Sequence, residues 1–214
     1  MSLLNEEIKE QVTQELAGLE SPVKIVMFTQ EFECQYCSET QELIEEIAEL
    51  SDQLSVEVYD FVADEEKAGE LNIDKVPAIA VIGEEDYDVR FYGIPSGYEF
   101  SSLLHAIQMV ASKETELSAE TLEILKELTE PVHIQVFVTP TCPYCPQSVI
   151  LAHKMAIASP MVRGDMVEAQ EFPQISQKYQ VMGVPRTVIN ETAHLEGAAA
   201  EPMVIAKLQE VIEG

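Results

Sequence analysis

The 214-residue chain has four cysteines, all in two Cys-x-x-Cys motifs: Cys34-Gln35-Tyr36-Cys37 and Cys142-Pro143-Tyr144-Cys145. Two thiols at this spacing can close a disulfide and reopen it, because the second can attack a mixed disulfide held on the first. The thiolate is the reactive species, and a helix N-terminus favours it through unpaired N–H groups and the helix dipole. Each motif is followed by a Val-Pro pair, Val76-Pro77 and Val184-Pro185, and the Cys-to-Pro separation is 43 positions in both copies. That register points to a duplicated redox unit. A zinc site built from both pairs is one alternative. However, zinc-ribbon pairs lie roughly 15–20 residues apart, and here Cys37 and Cys142 are 105 positions apart. Two purely structural disulfides are the other alternative, although a four-residue loop constrains the unfolded chain little.

The elements around the motifs repeat as well. Ser21-Pro22-Val23-Lys24-Ile25-Val26 aligns with Glu130-Pro131-Val132-His133-Ile134-Gln135 at an offset of 109, whereas the cysteines and Val-Pro pairs align at 108. The second copy is therefore one residue shorter just before its motif. Internal repetition at half the chain length means a tandem pair of domains. Residues 23–29 read as a buried strand and 54–62 as a second one. Between them, from 37 to about 51, Leu43, Ile44, Ile47 and Leu50 recur at helical spacing. This order puts the first cysteine of the motif at the helix N-terminus and the second one turn in. A short helix at 64–71, strands at 78–82 and 89–92, and a helix opened by the capping-box pattern Ser96-Gly97-Tyr98-Glu99 complete the first unit. The second unit repeats the order. It has a strand at 132–138, a helix at 144–158, a weak strand at 165–169 and a helix at 172–179. A strand at 186–190, an edge strand at 192–195 and a helix at 202–212 follow. Amphipathic stretches, 4–19 and 117–128, lead into the two copies. The boundary falls in the polar stretch 111–118, giving units 1–114 and 115–214. The βαβ start of each unit demands a parallel strand pair with a right-handed crossover.

Composition narrows the function. The formal net charge is −27, from 39 acidic against 12 basic residues. That balance excludes nonspecific nucleic-acid binding, which needs Lys and Arg to neutralise phosphates. It also disfavours anionic membrane surfaces. An acidic surface keeps a protein soluble, and a saline habitat is a second reading of the same charge. No apolar run approaches the roughly 20 residues that span a bilayer. The first residues show no basic segment followed by an apolar core, so no signal peptide is expected and the protein is placed in the cytoplasm. His105, His133, His153 and His194 are scattered and read as ordinary helix or strand residues. Arg186 reads as a surface arginine, and the methionines as core filler.

The paired CxxC and Val-Pro motifs resemble the thioredoxin/glutaredoxin superfamily, and Cys142-Pro143-Tyr144-Cys145 is similar to the glutaredoxin dithiol motif. Two such units in one chain of this length resemble the prokaryotic protein disulfide oxidoreductases, over about residues 20–112 and 130–213. The resemblance implies an α/β chain of two tandem thioredoxin-fold units, each a mixed central sheet flanked by helices. It implies that Cys34 and Cys142 attack and that Cys37 and Cys145 resolve. Pro77 and Pro185 would be cis, with Val76 and Val184 offering backbone to the substrate. The substrates would be protein disulfides, with no bound cofactor and no metal, and electrons would pass to or from an external reductase such as a thioredoxin-reductase-like flavoprotein. An electron-transfer module between a flavoprotein reductase and a peroxidase is an alternative. A redox-sensing, peptide-binding or chaperone-like protein is another. The chain departs from thioredoxins at Glu33 and Thr141, where they carry Trp, and at Phe28 and Val136, where they carry a buried Asp. Gly197-Ala198-Ala199-Ala200 lacks the Asp of glutathione-binding glutaredoxins.

The two sites are not expected to be equivalent. Glu31, Glu33, Glu39, Glu42, Glu45, Glu46, Glu49 and Asp52 surround Cys34, against a lone Lys24. Residues 131–164 contain no acid but include Lys154 and Arg163. Negative charge disfavours a thiolate. Pro143 is expected to stiffen the first helical turn. Cys142 is therefore expected to be the more reactive thiol.

Overall fold

In the computed structural model, which describes residues 3–213, the first strand is central because both its faces are apolar. β1 (Val23–Thr29) sends Ile25 and Met27 into one buried cluster and Val26 and Phe28 into another, all at most 1% exposed. β2 (Leu54–Asp60) pairs parallel to β1, after the crossover helix α2 (Cys37–Ala48). β3 (Ala78–Ile82) pairs antiparallel to β1, and β4 (Val89–Tyr92) antiparallel to β3. α1 (Glu6–Leu16) precedes this set, α3 (Glu65–Glu70) sits between β2 and β3, and α4 (Glu99–Ser112) closes the unit.

The second unit builds the same arrangement. α5 (Ala119–Lys126) leads in, capped by Ser118, whose side chain accepts from the N–H of Thr121. β5 (Val132–Val138), α6 (Cys145–Ala158) and β6 (Val162–Glu168) form the βαβ start, with β5 and β6 parallel. α7 (Pro173–Lys178) is followed by β7 (Arg186–Ile189), antiparallel to β5. β8 (Ala193–Glu196) pairs antiparallel to β7, and α8 (Glu201–Glu213) follows. Among the described residues, no helix is long and apolar enough to cross a membrane.

The two units share one sheet. β4 of the first pairs parallel with β6 of the second, with Arg90 opposite Asp165 and Tyr92 opposite Val167. Eight strands thus run in the order β2-β1-β3-β4-β6-β5-β7-β8 among the described residues. α4 packs on α6, and one apolar cluster continues from Leu4 to Leu208 across both units. Burying a join that carries Arg90, Arg163 and Asp165 requires every charge to find a partner. Arg90 is fully buried. It donates to Asp86 Oδ1 at 2.8 Å, to Asp88 Oδ1 at 3.1 Å and to the Leu71 carbonyl at 3.2 Å. Arg163 Nε donates to Asp165 Oδ1 at 2.8 Å, and His133 Nε2 lies 2.6 Å from Asp165 Oδ2. Burial would push the Asp165 carboxyl up, but the His133 hydrogen bond and the charges of His133 and Arg163 outweigh it and hold the group well below the usual range.

Several expectations change here. The weak strand expected at 165–169 is the full strand β6, starting at Val162. Its polar residues hid it, yet Arg163 and Asp165 are paired with each other at the join, and Gly164 lets the strand approach α6: a Cβ there would stand 2.8 Å from the Ala152 carbonyl oxygen. The capping box does not form. Tyr98 is the N-cap, with no side-chain cap bond, and Glu99 accepts instead from Ser102 Oγ at 2.6 Å. Arg186 is not a surface residue: it is 5% exposed, and its Nη1 donates to Glu196 Oε1 at 2.6 Å. Pro143 lies ahead of the helix; the proline in the first turn of α6 is Pro146.

Candidate redox site

Both motifs sit in the turn between a central strand and the helix after it. The first helical residue is the second cysteine of each motif, Cys37 in α2 and Cys145 in α6. Cys34 and Cys142 therefore stand one turn ahead of the helix, not on its first residue as the periodicity suggested. Each pair closes its own disulfide, with a Cα–Cα separation of 5.5 Å in both, inside the ordinary range for such bonds. In each pair the outer cysteine is the more accessible. Cys34 is half-buried against 3% exposure for Cys37, and Cys142 is 8% exposed against 0% for Cys145. The loop before the first motif is one residue longer, and it carries Glu33 in the left-handed region at φ 58°.

Both Val-Pro peptide bonds, Val76–Pro77 and Val184–Pro185, are cis. Val76 lies two residues ahead of the first β3 ladder residue, Ala78, and Val184 two ahead of Arg186. At the first site, a cavity of about 480 Å³ brings Cys34, Tyr36, Val76 and Pro77 together. At the second, Val184 packs against the apolar cluster that contains Cys142 and Cys145, while Tyr144 is 68% exposed. The Pro77 carbonyl accepts from Gly93 N–H at 2.9 Å, and the Pro185 carbonyl from Gly197 N–H at the same distance, so equivalent bonds brace both loops. Among the described residues, no group of three or more His, Cys, Asp or Glu side chains is arranged to hold a metal ion.

The second unit brings acids to the first site that the sequence pattern did not reveal. Glu168, Glu171 and Pro140 line the cavity of Cys34. Glu171 Oε1 accepts from Ile94 N–H at 2.7 Å, and Glu168 Oε2 accepts from Glu171 N–H at 2.6 Å. Burial pushes the Glu171 carboxyl up to about 7, helped by the charges of Glu168 and Glu39 and opposed by the Ile94 bond. Burial also raises Glu168. Lys154 and Arg163, expected near Cys142, are engaged elsewhere, with Glu116 and Asp165. Glu99, which fits the capping pattern in the sequence, is 1% exposed, and burial lifts its carboxyl to about 7 against the Ser102 bond. Its spacing to Leu103 and Ile107, on the apolar face of the helix, was the available signal. The start of α4 meets the loop before Cys142, where Tyr98 N–H donates to the Pro140 carbonyl at 3.0 Å.

Two strand–CxxC–helix units, each with a cis-proline loop ahead of its third strand, define a thiol–disulfide oxidoreductase of thioredoxin fold. The chain belongs to the thioredoxin-domain family, whose model matches residues 23–105 and 132–210. It is similar to a protein disulfide oxidoreductase from Aeropyrum pernix, with 32% identity over 98% of this chain and 94% of that one and a TM-score of 0.91. It is also similar to the N-terminal domain of alkylhydroperoxide reductase AhpF from Enterococcus faecalis, with 26% identity over 96% and 99% of the two chains and a TM-score of 0.88. An alkyl hydroperoxide reductase component from Staphylococcus aureus is 28% identical over 96% of this chain. The chain spans 38% of that relative's length.

Proposed function

We propose that this protein exchanges dithiols and disulfides with protein substrates, working as units 1–114 and 115–214 in a cytoplasmic setting. One observation carries the reading: in each disulfide the outer cysteine is more exposed than the inner one, and a half-buried valine precedes a cis proline ahead of the third strand of the unit. In the reducing direction, the Cys34 or Cys142 thiolate attacks one sulfur of the substrate disulfide. A mixed disulfide forms and the substrate's other sulfur leaves as a thiolate. Cys37 or Cys145 then loses its proton and attacks the outer cysteine's sulfur. The second substrate thiol is released, and the substrate gains two electrons and two protons. Val76 and Val184 offer backbone to the substrate chain, and Pro77 and Pro185 hold that backbone in place. An external reductase, of the thioredoxin-reductase-like flavoprotein type, returns the electrons.

Insulin reduction under dithiothreitol tests the reading. Turnover is expected for the native chain, and loss is expected when both outer cysteines become serine. Cys145→Ser, made with the first site disabled, should accumulate mixed disulfides on Cys142. Trapping by Cys142→Ser instead would reverse the roles. The similarity to the AhpF domain favours a second reading, an electron-transfer module between a flavoprotein reductase and a peroxidase. Faster reduction of a peroxidase than of insulin would select it.

A further inference from the structure

The first site opens onto the join between the units, where Pro140, Glu168 and Glu171 of the second unit line its cavity. Glu168 ends β6, and the turn after it carries Glu171. Because β6 pairs with β4, this turn lies beside Gly93 and Ile94, which follow β4; Gly93 N–H braces the Pro77 carbonyl and Ile94 N–H donates to Glu171. In the first unit the strand equivalent to β6 is β2, which occupies the outer edge of the sheet. The turn after β2 therefore has no second unit beside it. The duplication is what brings these acids to Cys34.

The cavity wall is unusual in charge and burial. Glu33, Glu168 and Glu171 line it, and among the described residues no Lys or Arg does. Glu168 is 3% exposed, and its Oε1 has no hydrogen-bond partner among the described residues. A carboxylate oxygen buried without a partner is a costly arrangement, and a bound donor relieves it. A Cβ at Gly93 would stand 2.6 Å from Glu168 Cβ, so the wall is packed directly on the loop that faces Cys34.

We infer that the cavity between Cys34 and the Glu168–Glu171 turn is a specificity pocket for a Lys or Arg side chain next to the substrate disulfide. The inference rests on the exchange reaction proposed above and names the substrate that the first site prefers. The cation pairs with Glu168 and Glu171 while the substrate sulfur meets Cys34. Glu33 at the rim and Glu39 on α2 add to the same field. Since Glu171 titrates near neutral pH, and its neighbours Glu168, Glu39 and Glu33 share its sign, the preference strengthens as pH rises through that range.

The test uses the full chain with Cys142 and Cys145 replaced by serine, so that only the first site turns over. Two disulfide peptides are compared under dithiothreitol, alike except for Arg or Gln beside the cysteine. The Arg peptide is expected to show a kcat/KM roughly five- to tenfold higher at pH 8 and low salt, shrinking at pH 5.5 and in high salt. In Glu168→Gln/Glu171→Gln, checked for folding by circular dichroism, the ratio should fall to that of the chain retaining only the second site. Glu171→Gln alone, and the pH and salt series on the native acids, decide the matter if the double variant does not fold. A ratio near one, or an Arg preference that survives the Gln variants or is equal at the second site, overturns the pocket. Failure to reduce either peptide or insulin overturns the exchange reading itself, and the pocket with it.

Discussion

The N–H of Ile94 in the first unit donates to Glu171 Oε1 of the second at 2.7 Å, across the join between the units and at the mouth of the first cysteine pair. The bond fastens the loop opposite Cys34 to a turn more than seventy residues downstream (77).

Gly93 is the residue this contact leaves no room to change. Its φ is +89°, where a side chain is strained, and a Cβ would stand 2.6 Å from Glu168 Cβ and 2.7 Å from Glu171 Oε1. Gly93→Ala is expected to cost about 2 kcal/mol or more. Urea denaturation checks the stability. First-site turnover should fall further than second-site turnover, because the Gly93–Pro77 bond braces only the first loop. An unchanged midpoint would contradict this.

Cys142 should hold more of its thiolate at mildly acidic pH than Cys34. Lys154 and Arg163 have other partners and add little to this difference. Glu33 beside Cys34 carries it, with Glu39 in the first turn of α2 where α6 has no acid, and Glu171 adds its charge only as pH rises toward and above about 7. In the reduced protein, iodoacetamide labelling from pH 5 to 9, scaled to each thiol's plateau, should rise at lower pH for Cys142. Superimposable curves would refute the electrostatic account.

The contribution of Glu99 to stability should fall as pH rises from about 4.5 to about 7. The Glu99 carboxyl is lifted to about 7 by burial, so the folded protein holds a proton there that the unfolded chain releases near 4.5. The folded state binds more protons across this window, and the slope of unfolding free energy with pH is negative. The effect reaches about 3 kcal/mol above pH 7. Glu99→Gln should be stabilising at pH 8 and close to neutral at pH 4. Equal effects at both pH values would count against it.

Asp165→Asn should be severe. The change leaves the Arg163 guanidinium and His133 facing a neutral amide in a fully buried strand, at a cost of about 3–5 kcal/mol. Because β4 and β6 belong to one sheet, chemical unfolding of this variant should remain a single transition, with a lower midpoint. A separate early transition for one unit would show that the join is not cooperative.

The duplication, the strands around both motifs and the helices after them were legible in the chain because each rests on local pattern. β1 and β5 read as short, largely apolar strands, and the helices showed 3.6-residue periodicity. The spacing of the Val-Pro pairs pointed to loops near the cysteines, and Cys34, Val76 and Pro77 do share a cavity. The charged residues of β4 and β6 were not legible in the same way. Arg90, Arg163 and Asp165 broke the apolar pattern, and although Arg90 pairs with Asp86 and Asp88 and Arg163 with Asp165 within a few residues, nothing local shows that the two strands are buried against each other. Glu168 and Glu171 lie more than a hundred positions from Cys34, in a turn whose counterpart after β2 hangs at an open edge. Which sheet edges meet depends on the shape and charge of whole surfaces, so only the tertiary structure could bring a buried acidic wall of the second unit to the disulfide of the first.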